Sequence, residues 1–138
     1  MSESSHFNIE MTGSPSVAGR FVRIANVEPF EIVPGLEFRP IMAEKTMTNF
    51  VHFAPNTEAP WHAHEEEQIV IVLEGEFEFN IDGDVRTLRV GDVAVIPSWV
   101  PHSARTNEST CLEVDVFNPP RQTLLAHVAS QNAKSREN

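Results

Sequence analysis

The sequence predicts an all-β protein, a double-sheet jelly-roll barrel with a short C-terminal helix. Many short apolar or alternating segments are separated by close turns rich in proline and glycine, which is the pattern of a β-sandwich or barrel. The pair Asp82-Gly83 lies between two such segments and is a strong hairpin signal. Because the interior of a jelly roll can hold a ligand, inward-facing polar residues are the candidates for function.

Length and charge limit what the chain can do. Its 138 residues suit one domain, and its single cysteine, Cys111, excludes an intramolecular disulfide. The formal net charge of −10 leaves no basic stripe for nucleic acid. No apolar run is long enough for a membrane span, and Met1–Thr12 lacks the features of a signal peptide, so a cytoplasmic protein without membrane partners is expected.

The chain divides into three expected parts. Residues 1–26 are small and polar and are expected to form an N-terminal arm or an edge strand exchanged with another copy. Residues 27–121 form the expected barrel, and residues 122–138 a short helix and a disordered tail. The helix is predicted at 122–130, with leucines on its buried face.

The predicted strands follow the turn signals in order. The prolines and glycine between 27 and 41 indicate short strands and turns, and Pro55-Asn56 ends the next segment. Asn118-Pro119-Pro120 ends the last segment, since proline cannot donate to a strand ladder. Apart from the broken first region, the expected strands are 45–53, 61–73, 76–81, 85–90, 93–96 and 110–117.

A metal-ligand pattern begins at Trp61-His62-Ala63-His64. In an extended strand His62, His64 and Gln68 share parity and project from one face. A third imidazole is available at His102, at the end of a later strand. Three neutral nitrogens and one amide oxygen suit a divalent transition ion, and the donor types allow nickel, zinc, iron, cobalt or manganese.

The fourth ligand has a competitor. Glu66 has the same strand parity as the two histidines, so either Glu66 or Gln68 can complete the shell. If Gln68 binds, the ligands are all neutral and the ion keeps its full charge. One extra unit charge at about 4 Å is worth about 4 kcal/mol at an effective dielectric of 20, so this site would favour an anionic substrate.

Asp115 is the second candidate for chemistry. It shares a strand face with Cys111, Glu113 and Phe117, and a carboxylate facing an apolar barrel is costly unless a cation is near. A metal would supply that cation. The alternative is that this face meets solvent while Leu112, Val114 and Val116 fill the barrel.

These motifs resemble the cupin superfamily. His62, His64, Gln68 and Gly75 have the spacing of its first motif, and Gly91, Pro97 and His102 that of its second. The chain departs from the family at the leading glycine, at Gln68 in place of glutamate, at Trp99 in place of the second glycine, and at Thr106 in place of asparagine. The resemblance covers residues 30 to 120 and implies a metal-binding jelly roll.

A narrower resemblance lies in Asp115-Val116-Phe117-Asn118-Pro119-Pro120-Arg121. This run is similar to the ending of KdgF-type cupins, which open unsaturated uronate monomers from pectin and alginate. The resemblance implies metal ligands at His62, His64, Gln68 and His102, a catalytic base at Asp115 and a carboxylate-binding group at Arg121. Phe117 and Trp99 would shape the substrate pocket.

The expected function is therefore metal-dependent ring opening of a small anionic uronate. An iron-dependent dioxygenase and a non-catalytic cupin that binds a small acid or sugar are the alternatives. Cupin relatives commonly pair through N-terminal strands, which implies a homodimer.

Overall fold

The structure is a computed structural model that describes residues 6–7 and 12–126. Nine strands run through these residues in chain order: β1 (Phe30–Val33), β2 (Leu36–Met42), β3 (Met47–Phe53), β4 (Glu58–His62), β5 (Glu67–Ile81), β6 (Asp84–Arg89), β7 (Val93–Ile96), β8 (His102–Arg105) and β9 (Cys111–Asn118).

The strands form two antiparallel sheets that share β5. Hydrogen-bonded neighbours follow the order β1-β2-β3-β9-β5-β8-β4, and β6 and β7 also pair with β5. The first half of β5 pairs with β7 and β9, whereas its second half pairs with β6 and β8. This arrangement confirms the predicted jelly-roll barrel. The hairpin predicted at Asp82-Gly83 joins β5 to β6, and both residues have the positive φ that such a turn requires.

Gly75 allows β5 to pass from one sheet to the other. The β5–β9 register shifts between Val72 and Glu74, just before this glycine. Gly75 has a φ of +72°, and a Cβ atom there would lie 2.0 Å from the Thr110 carbonyl oxygen. Only glycine fits so close a backbone approach.

The inward faces of β3 and β9 form one part of the barrel wall beside the site. Register places Asn49 opposite Asp115, and Val51 opposite Glu113. All four residues are buried. The alternative in which Leu112, Val114 and Val116 fill the barrel is therefore wrong, because the opposite face of β9 points inward. Cys111 is fully buried, as expected for a small hydrophobe.

Two apolar clusters pack the barrel. The larger one contains Phe53, Phe77 and Phe79, with edge-to-face packing of the first two rings at 5.3 Å between centroids. The smaller one contains Phe30, Met47, Phe117 and Leu124. Leu124 belongs to the helical residues 122–126, so this helix covers one end of the barrel.

Three predictions about local structure are wrong. The segment 61–73 is not one strand, because β4 ends at His62 and β5 begins at Glu67. Between them the His64 ring donates to the Glu66 carbonyl, and the His64 carbonyl accepts from the Trp99 backbone, so this stretch turns locally instead of continuing a ladder. The break predicted between 73 and 76 is also absent, because β5 continues to Ile81. His102 does not end a strand either; it begins the separate strand β8.

The ends of the described chain contribute little regular structure. Residues 12–29 contain no strand, only one 3₁₀ turn at Ile24–Asn26. The remainder of the predicted helix and tail, from 127 to 138, lies outside the described residues, as do residues 1–5 and 8–11. Across the described residues, no helix has both the length and the apolar character needed to cross a bilayer.

Candidate metal centre

Three histidines converge at one end of the barrel from three different elements. His62 ends β4, His64 lies in the turn after it, and His102 begins β8 directly opposite His62. Each offers a ring nitrogen, and these three nitrogens lie within 4.8 Å of one another. The sequence predicted this convergence from strand parity, but the structure produces it differently. A turn carries His64, and cross-strand pairing brings His102 opposite His62.

Hydrogen bonds to backbone carbonyls fix the tautomer of each ring. Nδ1 of His62 lies 2.6 Å from the Pro60 oxygen, Nδ1 of His64 lies 3.0 Å from the Glu66 oxygen, and Nδ1 of His102 lies 2.9 Å from the Val100 oxygen. A carbonyl oxygen only accepts, so Nδ1 carries the proton in all three rings. Each Nε2 therefore keeps a lone pair, as in metal-binding histidines held by outer hydrogen bonds.

Burial keeps these imidazoles neutral. It lowers the pKa of His62, His64 and His102, and the pKa of His102 falls to about 4. The backbone hydrogen bonds act in the opposite direction but are the smaller effect. At neutral pH the three rings are therefore unprotonated at Nε2, which is the state that binds a metal.

Gln68 completes the cluster at the start of β5. Its side-chain oxygen lies 3.1 Å from Nε2 of His64, while its amide nitrogen donates to Oδ1 of Asp115 at 2.9 Å. Glu66 lies on the other side of the same ring, with a carboxylate oxygen 3.6 Å from Nδ1 of His64. Gln68 therefore faces the unprotonated nitrogen of His64, whereas Glu66 faces the protonated one.

The donor set fits a metal ion. Nε2 of His64 and the Gln68 oxygen both present lone pairs at 3.1 Å, and a cation between two such acceptors would remove their repulsion. Nε2 of His102 is buried and has no hydrogen-bond partner within the described structure. Three imidazoles and one amide oxygen are ligands that first-row transition ions accept.

A cavity leads from His62 and His102 into the barrel. Its volume is about 70 Å³, counted as the space open to the centre of a water molecule. This is several times the volume that one water needs. Its lining combines polar side chains with phenylalanines and aliphatic side chains. The polar lining comprises His62, Gln68, His102, Ser103, Glu113, Asp115 and Arg121.

Asp115 and Arg121 meet on this cavity as the sequence predicts. Burial raises the pKa of Asp115, although hydrogen bonds from Glu113 and Gln68 and the charge of Arg121 act against that rise. Burial lowers the pKa of Arg121, with Asp115 opposing. The Arg121 guanidinium lies 5.7 Å from the centre of the Phe117 ring, within cation–π range.

Phe117 and Trp99 lie outside the cavity lining. Phe117 is buried between Arg121 and His64, whose ring centre is 5.7 Å away. Trp99 is 66% exposed and has a φ of +66° at the position where the motif has glycine. Its backbone N–H donates to the His64 carbonyl at 2.8 Å, and this hydrogen bond holds the Trp99 loop beside His64.

The structure gives two residues positions that the sequence did not predict. Glu113 is buried on the cavity wall beside Asp115, and its inward parity was the available signal. Thr106, at the motif's asparagine position, ties two turns together: its hydroxyl donates to the Ala54 carbonyl and accepts from the Thr57 N–H. No sequence signal pointed to this bridging role.

A family model and a curated relative match the central part of the chain. Residues 49–117 match the family described as Cupin domain. The pectin degradation protein KdgF of Dickeya dadantii is 33% identical over 76 residues, a match covering 54% of this chain and 69% of that protein.

Other matches show the range of proteins that share this fold. A gentisate 1,2-dioxygenase from Streptomyces sp is 34% identical over 70 residues, half of this chain but only 20% of the dioxygenase. The solved structure of KdgF from Halomonas sp. superposes with a TM-score of 0.73 at 28% identity, covering 78% of this chain and 99% of that one.

Proposed function

The chain belongs to the cupin family, and we propose that it is a metal-dependent enzyme that opens the ring of 4,5-unsaturated monouronates from pectin or alginate. One observation carries the proposal. Asp115 is hydrogen-bonded to Gln68 and shares a cavity with His62, His102 and Arg121. This arrangement supports the roles that the likeness to KdgF proteins implies: a base, a group that binds a carboxylate, and a set of metal ligands.

The ligands of the proposed centre are His62, His64, Gln68 and His102. A divalent ion bound there would supply Lewis acidity toward a substrate oxygen. All four side chains are uncharged, so they do not offset the charge of the ion and the site favours an anionic ligand. Nickel, zinc, iron, cobalt and manganese all suit these donors.

Asp115 is the proposed general base. The Gln68 amide N–H donates to its Oδ1, which orients the carboxylate toward the cavity. In the reaction it accepts the proton of the hemiacetal hydroxyl, after which the ring opens and the enol is converted to a linear keto-uronate.

Arg121 is proposed to hold the substrate carboxylate. A guanidinium binds a carboxylate through two parallel hydrogen bonds, which lysine cannot reproduce. Phe117 lies against Arg121 and fixes the position of its side chain. The exposed Trp99 is proposed to shape the mouth beside His64.

An iron-dependent dioxygenase is the second candidate, favoured by the match to gentisate 1,2-dioxygenase. A non-catalytic cupin that binds a small acid would use the same cavity. Product analysis and oxygen uptake separate these three functions. Ring opening forms a product without consuming oxygen, a dioxygenase consumes oxygen, and a binding protein forms no product.

The experiment follows pectin- and alginate-derived unsaturated monouronates by proton NMR with metal-loaded and chelated protein. The proposal predicts that the vinyl proton signal disappears with loaded protein as signals of the linear product grow, without oxygen uptake. Oxygen consumption by iron-loaded protein would support the dioxygenase instead. Tight binding without any product would identify a binding protein.

We also propose that the protein is a homodimer whose second copy covers an apolar surface. Val93 and Val95 of β7 are more than half exposed and lie opposite Ile71 and Ile69 of β5 on the outer face. Phe21, in the N-terminal arm, is fully exposed. In a protein of charge −10, two copies meet at the lowest electrostatic cost through such an uncharged surface.

A further inference from the structure

Glu113 is a buried carboxyl group to which the proposed reaction gives no role. It is 3% exposed, and it lies one inward position before Asp115 on β9. Its Oε2 is buried and has no hydrogen-bond partner within the described structure. Glu113 also lines the cavity, so it belongs to the wall of the proposed substrate site.

Glu113 and Asp115 form a carboxyl pair on the inward face of β9, where both are buried and both line the cavity. A buried carboxylate oxygen without a partner is costly, so the unpartnered Oε2 favours the protonated form of Glu113. Two adjacent ionised carboxylates would also repel strongly in a buried site. The pair therefore contains one acid and one base at neutral pH.

The surroundings place the proton on Glu113. Asp115 accepts a hydrogen bond from Gln68 and lies near the positive charge of Arg121, both of which stabilise a carboxylate. The cross-strand neighbours of Glu113 are instead Val51 and Val72, and none of the salt bridges among the described residues involves it. Burial, reinforced by Asp115, raises the pKa of Glu113 well above its usual range.

We propose that Glu113 is a second catalytic residue, the acid that delivers a proton to the substrate carbon after Asp115 has opened the ring. This inference rests on the proposed uronate ring opening. It assigns separate tasks to the two carboxyl groups, because Asp115 is hydrogen-bonded to Gln68, whereas Glu113 lies opposite Val51 and Val72.

The proposed steps balance in protons and electrons. Asp115 takes the hydroxyl proton; the carbonyl of the open chain forms as the bond to the ring oxygen breaks, and the electron pair remains on that oxygen as an enolate. The carbon–hydrogen bond forms with the proton of Glu113 as the enolate becomes a ketone. The proton on Asp115 then passes to Glu113, which restores the pair.

The first test replaces Glu113 with glutamine in the metal-loaded protein. Glu113→Gln keeps the size and a donor group but cannot release a proton, so turnover should fall by about 10²- to 10⁴-fold. Metal content should stay equal to that of the wild type. Glu31→Gln, at an exposed position of β1, is the matched control and should keep wild-type turnover.

Deuterium labelling adds a signature that a structural role would not produce. In heavy water, wild-type protein should give one epimer of singly deuterated product, because a fixed acid protonates one face of the enolate. Residual product from Glu113→Gln should contain both epimers. A mixture from wild-type protein, or one epimer at the wild-type rate from Glu113→Gln, would overturn the assignment.

Infrared difference spectra test the protonation state without turnover. Wild-type protein at neutral pH should show the carbonyl band of a protonated carboxyl group, absent in Glu113→Gln and present in Glu31→Gln. Absence of this band would refute an acid at Glu113 even if uronates are opened. If the band is present but wild-type protein opens no uronate, the proposed function fails, and with it the carbon protonation.

Discussion

The hydrogen bonds of Gln68 connect the proposed metal shell to the proposed base. Its oxygen faces His64, and its nitrogen donates to Asp115. A glutamate at this position would lose the donor and place a second negative charge beside Asp115. This double role explains why an amide serves here better than the carboxylate of the usual motif.

Substitution at positions 66 and 68 distinguishes the two possible fourth ligands. Gln68→Ala should weaken binding of a divalent transition ion at least about tenfold, because it removes a ligand oxygen. Glu66→Gln should leave metal affinity within about twofold. Titration calorimetry with zinc or nickel measures both variants, and the reverse ranking would show that Glu66 is the ligand.

His102 should make the metal-free protein less stable in mild acid. Burial lowers its pKa from 6.5 to about 4, so between these values the unfolded chain binds a proton that the folded chain does not. The free energy of unfolding therefore decreases as pH falls through this window, by on the order of 3 kcal/mol from this residue.

Chemical denaturation of chelated protein from pH 7 to pH 4 measures this effect as the difference between wild type and His102→Asn. The difference removes the contributions of Glu113 and Asp115, whose raised pKa values favour folding toward lower pH. Equal pH dependence in both proteins would contradict a buried neutral His102.

At the scale of strands, β5 joins the metal ligands to the rest of the barrel. Gln68 lies near the start of β5, where this strand pairs with β9 beside Asp115. After Gly75, β5 crosses into the other sheet and pairs with β8. Distortion of this crossing would disturb the β5–β9 pairing that places Gln68 next to Asp115.

Gly75→Ala should lower the free energy of unfolding by at least about 2 kcal/mol, since the new Cβ would meet a backbone oxygen at 2.0 Å. Gly83→Ala is the control, because Gly83 also has positive φ but no atom within 4 Å. Its cost should be about 1 kcal/mol, from backbone strain alone. Equal losses in urea denaturation would contradict the close approach at Gly75.

The sequence predicted the positions of the strands better than the local structure that brings the site residues together. Strong alternation and the Asp82-Gly83 turn located β6 and the second half of β5, but not the continuity of β5 from Glu67 to Ile81. The motif spacing selected His62, His64, Gln68 and His102 correctly as neighbours. The turn between β4 and β5 was missed because it depends on hydrogen bonds from the His64 ring and from Trp99, which no local pattern reveals.

Some roles depend on contacts between distant parts of the chain. Glu113 had the same parity as Asp115, but its missing partner and its place on the cavity wall follow from three-dimensional packing. Phe117 supports Arg121 from behind rather than lining the cavity. The domain limits at 26 and 121 and the catalytic roles stay predictions.

At the scale of the whole molecule, the outer face of β7 makes dimerisation testable. Val95→Glu should convert a dimer to a monomer in analytical ultracentrifugation, because it places a charge in the proposed apolar interface. Val90→Glu is the control, since Val90 is also exposed but lies at the turn before β7. A monomeric wild type at micromolar concentration would contradict the proposed homodimer.

The central claim is that the histidine cluster and Asp115 act together on an unsaturated uronate. The most direct measurement is decay of the ultraviolet band of the conjugated double bond with metal-loaded, chelated and Asp115→Asn proteins. We predict decay faster than the spontaneous rate only in loaded wild-type protein, with Asp115→Asn slower by about 10²- to 10⁴-fold at equal metal content. No acceleration by loaded wild-type protein, or an Asp115→Asn rate equal to that of the wild type, would contradict the account.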